Sequence, residues 1–308
     1  MSEEIYDVVI VGGGIAGLTA AVYACRARMN VLMVERFFPG GQLMMCELIE
    51  NFPGQPNGLS GTDLAALMQT QAEKFGLQTR FSEIEDMELD APIKKLHVSD
   101  GEDILCKTVI LCVGARPKIL GARGEAKFLG KGVSYCAVCD GALFPNKKLA
   151  VVGGGDTAVE DAMFLTKFAS EVHIIHRRDK LRAQQIIQER AFANDKIIFH
   201  WDSVIEEIAG TEMVEKVLLK NVKTNMMSEL EVSGVFVLVG TDPNTKFLQG
   251  KIALDELGYI TTDENMQTSV PGVYAAGDVR QKLLRQLVTA AADGAIAATA
   301  AEKYVESN

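Results

Sequence analysis

The sequence predicts an α/β protein made of two Rossmann-like domains, each a three-layer ββα arrangement. Three observations carry this. A strand–glycine turn–helix unit occurs twice. The two copies start 141 residues apart, at Gly12 and Gly153. In each, a second strand ends 23 residues after the first glycine.

The first copy opens with Ile5 to Val11, an apolar, β-branched run that reads as a buried parallel strand. Gly12-Gly13-Gly14-Ile15-Ala16-Gly17 follows at once, and Leu18 to Met29 has helical character. In this G-x-G-x-x-G pattern Gly12 permits the tight turn and Gly14 lets backbone approach a pyrophosphate. Gly17 lets helix and strand pack closely. The helix start then offers free N–H groups and the positive end of its dipole to phosphate. The next strand, Val31 to Val34, ends at Glu35, where a carboxylate can accept both hydrogen bonds of a ribose diol.

The second copy runs from Lys148 to Val152, through Gly153-Gly154-Gly155-Asp156-Thr157-Ala158, into a helix over Val159 to Phe168. Its second strand, Glu171 to Ile175, ends not in an acid but in His176-Arg177-Arg178, with Arg182 close behind. A 2′-phosphate would be repelled by Glu35 and held by guanidinium groups, which fork onto phosphate oxygens. The first site therefore suits an unphosphorylated ribose, as in FAD, and the second suits NADPH.

Composition limits the partners. The 308 residues are 48% hydrophobic and 23% charged, ordinary for a globular chain of about two domains. The net charge of −10 argues against nucleic acid and against an anionic membrane surface. No apolar run approaches a membrane span. The acidic start Met1-Ser2-Glu3-Glu4 lacks the basic opening of a secretory leader, so a cytoplasmic protein is expected.

Six cysteines are too sparse for a disulfide scaffold. Cys25, Cys106 and Cys112 lie in apolar patterns and read as core, as does Cys46 after a glycine-rich loop. Cys136-Ala137-Val138-Cys139-Asp140-Gly141 stands apart, just ahead of the second glycine turn. Two sulfurs at this spacing can close a disulfide over one helical turn, and a thiol at a helix N-terminus has a lowered pKa. Asp140 can act as the proton donor or acceptor that such chemistry needs, or simply complement the helix start. Zinc, the main competing use of C-x-x-C, wants about four ligands. There is no second C-x-x-C, and the odd separation of His173 and His176 on a strand points them to opposite faces.

Together these motifs resemble the bacterial low-molecular-weight thioredoxin reductases over nearly the whole chain. Gly40-Gly41-Gln42-Leu43 and Glu50-Asn51-Phe52-Pro53-Gly54 look like that family's flavin-contacting loop. Ser134 to Gly141 looks like its redox motif, and His176-Arg177-Arg178 with Arg182 like its 2′-phosphate clamp. Val273 to Val279, containing Asp278, looks like its second FAD motif, with Arg285-Gln286 following as in the family.

The resemblance implies a discontinuous FAD domain, about residues 1–116 and 246–308. An inserted NADPH domain, about 117–245, would carry the dithiol. It also implies a homodimer, and electron flow from NADPH through FAD to the Cys136–Cys139 pair and on to oxidised thioredoxin. Cys139 would face the flavin and Cys136 would attack thioredoxin; sequence physics alone does not order the two. Relatives with another donor or acceptor, such as ferredoxin-linked reductases, dithiol oxidases and the flavoprotein subunit of alkyl hydroperoxide reductase, share most of these features. A flavin-bound redox sensor would add an output domain or show a degraded nucleotide site, and neither is visible.

Overall fold

The computed structural model describes residues 4–46 and 48–308. Met1, Ser2 and Glu3, used above to judge the start of the chain, lie outside the described residues. The chain forms two compact units. One comprises the residues up to Arg116 together with Asp242–Asn308; the other is Pro117–Thr241.

The first unit holds strands β1 (Ile5–Val11), β2 (Val31–Glu35), β3 (Gln78–Phe81), β4 (Ile84–Glu88), β5 (Lys94–Val98) and β6 (Ile104–Leu111). They line up in the order β3-β2-β1-β6-β5-β4, and the short strand Val273–Ala275 also pairs with β6. The β3-β2-β1-β6 part is parallel, whereas β4, β5 and β6 pair antiparallel. Side chains alternate along each strand. Val8, Ile10, Met33 and Ile110 pack on helices α1 (Ile15–Arg26), α2 (Gly61–Lys74) and the C-terminal helix Leu287–Ser307. Val9, Val11, Leu32 and Leu111 face the other way, onto Met87, Leu96, Ile252 and Ile260. Both faces are covered, which is why these strands are continuously apolar in sequence.

The second unit repeats the plan. Strands β7 (Val133–Ser134), β8 (Lys148–Val152), β9 (Glu171–Ile175), β10 (Ile197–His200) and β14 (Gly234–Val237) form a parallel sheet in the order β10-β9-β8-β14-β7. Strands β11 (Ser203–Ala209), β12 (Lys216–Asn221) and β13 (Met227–Glu231) form an antiparallel meander. Leu149, Val151, Val172 and Ile174 face helices α3 (Ala137–Asp140), α4 (Asp156–Leu165) and α5 (Gln185–Phe192). Ala150, Val152 and Ile175 face Ile205, Ile208, Val217 and Leu219 of the meander.

Both glycine-turn helices begin three residues earlier than the sequence pattern suggests, at Ile15 and Asp156, because the last residues of each turn already lie in the helix. The C-terminal helix begins at Leu287. Gln286 caps it in a reciprocal box with Thr289, a role sequence rules reserve for shorter polar residues. Among the described residues no helix is long and apolar enough to cross a membrane.

Cys25, Cys106 and Cys112 are core residues. Burial pushes the Cys25 thiol up to about 11 and the Cys106 thiol to about 12, so neither is a nucleophile near neutral pH.

Three of the four histidines lie in the second unit. His173 Nδ1 lies 3.0 Å from His200 Nε2, and the buried His176 donates its backbone N–H to the His200 carbonyl at 3.0 Å. Burial holds all three below the ordinary imidazole range. A base whose folded pKa is depressed stabilises the fold above its unfolded value of about 6.5 and loses that contribution as pH falls toward the folded value. His97 of the first unit goes the other way: the hydrogen bonds it donates to Asp103 and Glu88 raise it at a half-exposed position. Acidification from pH 7 to 5.5 should therefore lower the urea midpoint of the second unit. Trp201, the only tryptophan, reports that unit through its stacking on Phe199. An unchanged Trp201 fluorescence midpoint would show that the imidazoles are not held neutral.

Candidate active site

In the first unit the glycine turn is closed by backbone. Gly12 has φ of 100°, and a Cβ there would lie 2.6 Å from the Cys112 carbonyl oxygen. A Cβ on Gly17 would sit 1.9 Å from the Gly12 oxygen, so helix and turn touch through backbone. Gly14 differs: a Cβ there meets nothing within 4 Å. Gly14 also precedes α1 as a cap that supplies no side-chain acceptor, so the first helical N–H groups face this open space.

Glu35 ends β2 and closes the turn from the other side. Its Oε2 accepts from Gly13 N at 2.6 Å, and its Oε1 from Arg36 N at 2.7 Å and Phe37 N at 3.2 Å. A carboxylate has about four acceptor sites, so room for one further donor, such as a ribose hydroxyl, remains. Gly40 donates to the Gly13 carbonyl at 2.7 Å, and Gly41, at φ of 54°, lies against Gly14. Gln42 donates its side-chain amide to the Ala115 carbonyl, and Asn51 donates to Gln286 Oε1 at 3.1 Å. Gly277 abuts Ala16 of α1, which brings Asp278 to the same helix end. Asp278 Oδ1 is buried without a hydrogen-bond partner, and burial raises its carboxyl against the pull of Lys282 and Arg285. Arg285 stacks over Tyr259 at 4.1 Å.

One acid organises this corner. Asp293, buried inside the C-terminal helix, accepts from Gly277 N at 3.0 Å, Arg280 at 2.9 Å and Lys282 at 2.7 Å. The available signal was an acid on the apolar face of an alanine-rich helix, which demands a partner.

In the second unit a Cβ on Gly155 would meet nothing within 4 Å, whereas one on Gly154 would strike the His176 ring at 2.3 Å. His176 is thus buried under the turn, edge-on to Trp201, with Nε2 unpartnered. Asp156 accepts both donors of Gln184, at 2.7 and 3.1 Å, and Thr157 is exposed at the helix start. Arg182 N donates to the Gly154 carbonyl at 2.7 Å, which latches the arginine segment to the turn. Arg177, Arg178 and Arg182 are exposed and line a pocket of about 330 Å³ together with Lys180 and Lys223.

The same unit carries the Cys136–Cys139 disulfide, with Cα atoms 5.3 Å apart. Cys136 caps α3, and Cys139 N–H points at its sulfur at 3.2 Å. Asp140 Oδ2 accepts from the Ser134 hydroxyl at 2.6 Å. Glu125, a buried acid that no motif marks, accepts from Leu120 N, Gly121 N and the Tyr135 hydroxyl at 2.8, 2.7 and 2.9 Å.

Two glycine turns that leave open space at helix N-termini, together with a disulfide at the start of a short helix, define a known class of protein. Residues 6–294 match the family described as pyridine nucleotide-disulphide oxidoreductase. A thioredoxin reductase of Peptoclostridium acidaminophilum is 49% identical over 99% of both chains. The chain belongs to the thioredoxin reductase family. Another thioredoxin reductase, from Bacillus subtilis, is 47% identical over 99% of this chain and 97% of its own. The crystal structure of thioredoxin reductase from Streptococcus pyogenes matches with a TM-score of 0.95 at 46% identity, covering both chains fully. This family member is an NADPH-dependent flavoprotein oxidoreductase that uses FAD. Its residues fit the two cofactors. Gly14 and Gly155 leave open space at helix N-termini, the Asp278 oxygen awaits a donor, and three arginines surround a basic pocket.

Proposed function

We propose that the chain reduces the disulfide of thioredoxin with electrons from NADPH, through the Cys136–Cys139 pair. The observation that carries this reading is the disulfide closed across the start of α3, with Asp140 hydrogen-bonded beside it. The unit containing residues up to Arg116 and Asp242–Asn308 is assigned to FAD, and Pro117–Thr241 to NADPH and the dithiol.

Gly12, Gly14 and Gly17 hold the FAD pyrophosphate at the start of α1, and Glu35 takes the ribose diol. Gly41, Gln42, Asn51, Asp278, Arg285 and Gln286 complete that site. Gly153, Gly155, Asp156 and Thr157 form the turn that receives the NADPH pyrophosphate. Arg177, Arg178 and Arg182 clamp the 2′-phosphate, and His176 supports the turn from below. Bound FAD supplies hydride acceptance from NADPH and two-electron delivery to a disulfide. Cys139 is the sulfur that would take electrons from the flavin. Cys136, as thiolate, attacks the thioredoxin disulfide; Cys139 then resolves the mixed disulfide, and Asp140 moves the proton. The active form is a cytoplasmic homodimer.

Anaerobic oxidation of NADPH and NADH by the holoenzyme, with and without oxidised thioredoxin, tests the reading. Rapid NADPH loss that requires thioredoxin supports it; flavin bleaching without turnover overturns the acceptor. Arg178→Ala should raise the KM for NADPH about 10- to 100-fold, the loss of one charge-assisted contact of about 1.5–3 kcal/mol, and leave that for NADH nearly unchanged. Equal changes for both nucleotides would remove the clamp assignment.

A further inference from the structure

Ser134 occupies the junction between the dithiol and its acid. It ends strand β7, is 4% exposed, and lies two residues before Cys136. Its Oγ accepts the backbone N–H of Cys136 at 3.0 Å. The same hydroxyl donates to Asp140 Oδ2 at 2.6 Å, and the Cys136 carbonyl lies 3.3 Å away as a longer alternative acceptor. Charge assistance favours the carboxylate for the one proton the hydroxyl has to give. The short helix α3 is bound in as well, since Asp140 N donates to the Cys136 carbonyl at 3.2 Å.

We propose that Ser134 is a positioning residue for the dithiol, joining the Asp140 carboxylate to the Cys136 backbone so that acid and sulfur-bearing turn hold one geometry. The inference rests on the proposed role of Asp140 in proton transfer. Two electrons break the S–S bond and leave two thiolates; one proton taken up gives a thiol–thiolate pair. The electrons come from NADPH in the established activity, and the proton passes by way of Asp140. Because Ser134 donates to the charged form of Asp140, its removal makes that carboxyl hold its proton to higher pH.

Other groups could shape the same pH response. Helix α4, against which α3 packs, carries Asp156, Glu160 and Asp161, and burial pushes the Asp161 carboxyl up to about 6. The face of α4 nearest Gly141 is nevertheless apolar, made by Leu165 and Phe164. On the other side the Tyr135 hydroxyl is committed to Glu125.

The test compares Ser134→Ala, Ser134→Thr and Asp140→Asn in the FAD-loaded protein. The first readout is the pH profile of NADPH-dependent disulfide reduction. The second is the pH dependence of alkylation of Cys136 and Cys139 in the reduced protein, followed by peptide mass spectrometry. In Ser134→Ala the acid limb should move up by about half to one pH unit, the weight of one hydrogen bond, and the alkylation midpoint should move with it. Ser134→Thr should keep the parent profile, and Asp140→Asn should abolish the limb. A parent profile in Ser134→Ala beside an altered Asp140→Asn would overturn the inference and leave the Asp140 assignment standing. Parent profiles in both would overturn the two together. If Ser134→Ala does not retain FAD, Ser134→Val against the isosteric Ser134→Thr answers the same question.

Discussion

Replacing Cys139 by serine leaves a yellow protein that NADPH still bleaches but that turns over thioredoxin at least about 10³-fold more slowly. The electron-accepting group of the second unit is a bond between two sulfurs, and one remaining thiol cannot store two electrons. The fold should survive. The disulfide spans only three residues, so it removes little chain entropy, and Cys136 keeps its place at the helix start. In the proposed assignment flavin is held by the other unit, whose glycine turn, Glu35 and Asp278 do not involve Cys139. Flavin absorbance during anaerobic NADPH titration, beside the rate with oxidised thioredoxin, separates these effects. Thioredoxin reduction at the parent rate would remove the dithiol from the electron path.

Gly294→Ala should destabilise the first unit by about 3 kcal/mol or more and promote FAD loss. The sign is what makes this informative. Alanine is the better helix former by about 1 kcal/mol, so an open position would gain stability. Here the added methyl would sit 2.2 Å from the Ala16 carbonyl oxygen and 3.1 Å from Ala20 N. The backbone of α1 cannot turn aside as a flexible side chain could. The substitution must push the C-terminal helix away from α1, at the helix end where the cofactor phosphates are expected. A fall in Tm of about 6–12 °C with parallel release of flavin fluorescence is the expected result. A Tm at or above the parent value would mean that the two helices separate freely.

The parts of the fold that rest on local periodicity could be read in the sequence. Lys148–Val152 and Glu171–Ile175 are strands as expected, because both faces of a parallel sheet are covered and the pattern is unbroken. The twin turns were readable for a related reason: glycine is required where backbone meets backbone, as at Gly12 and Gly17. Contacts between distant segments leave no such trace. Asn51 meets Gln286 across 235 residues, and Glu125 gathers a loop and Tyr135 with no motif around it. His176 shows the limit most clearly. Its position at the end of a strand fixes where its Cα lies but not whether the ring points to solvent or, as here, under Gly154.

The two glycine turns differ in their last residue, and the difference makes them unequal as parts. In the first unit a methyl at Gly17 would collide with the Gly12 carbonyl at 1.9 Å; in the second, Ala158 already carries that methyl. Its Cβ instead fills the space that a side chain on Gly153 would need, 2.4 Å away. The two helices therefore meet their turns differently, one through bare backbone and the other with a methyl group between. A graft of the second turn into the first unit would lift α1 off its strand. The reverse graft would leave a methyl-sized gap, a loss of about 1 kcal/mol. The repeat is thus a shared plan rather than an interchangeable module, and any recombination of the two halves has to carry each turn together with the helix that rests on it.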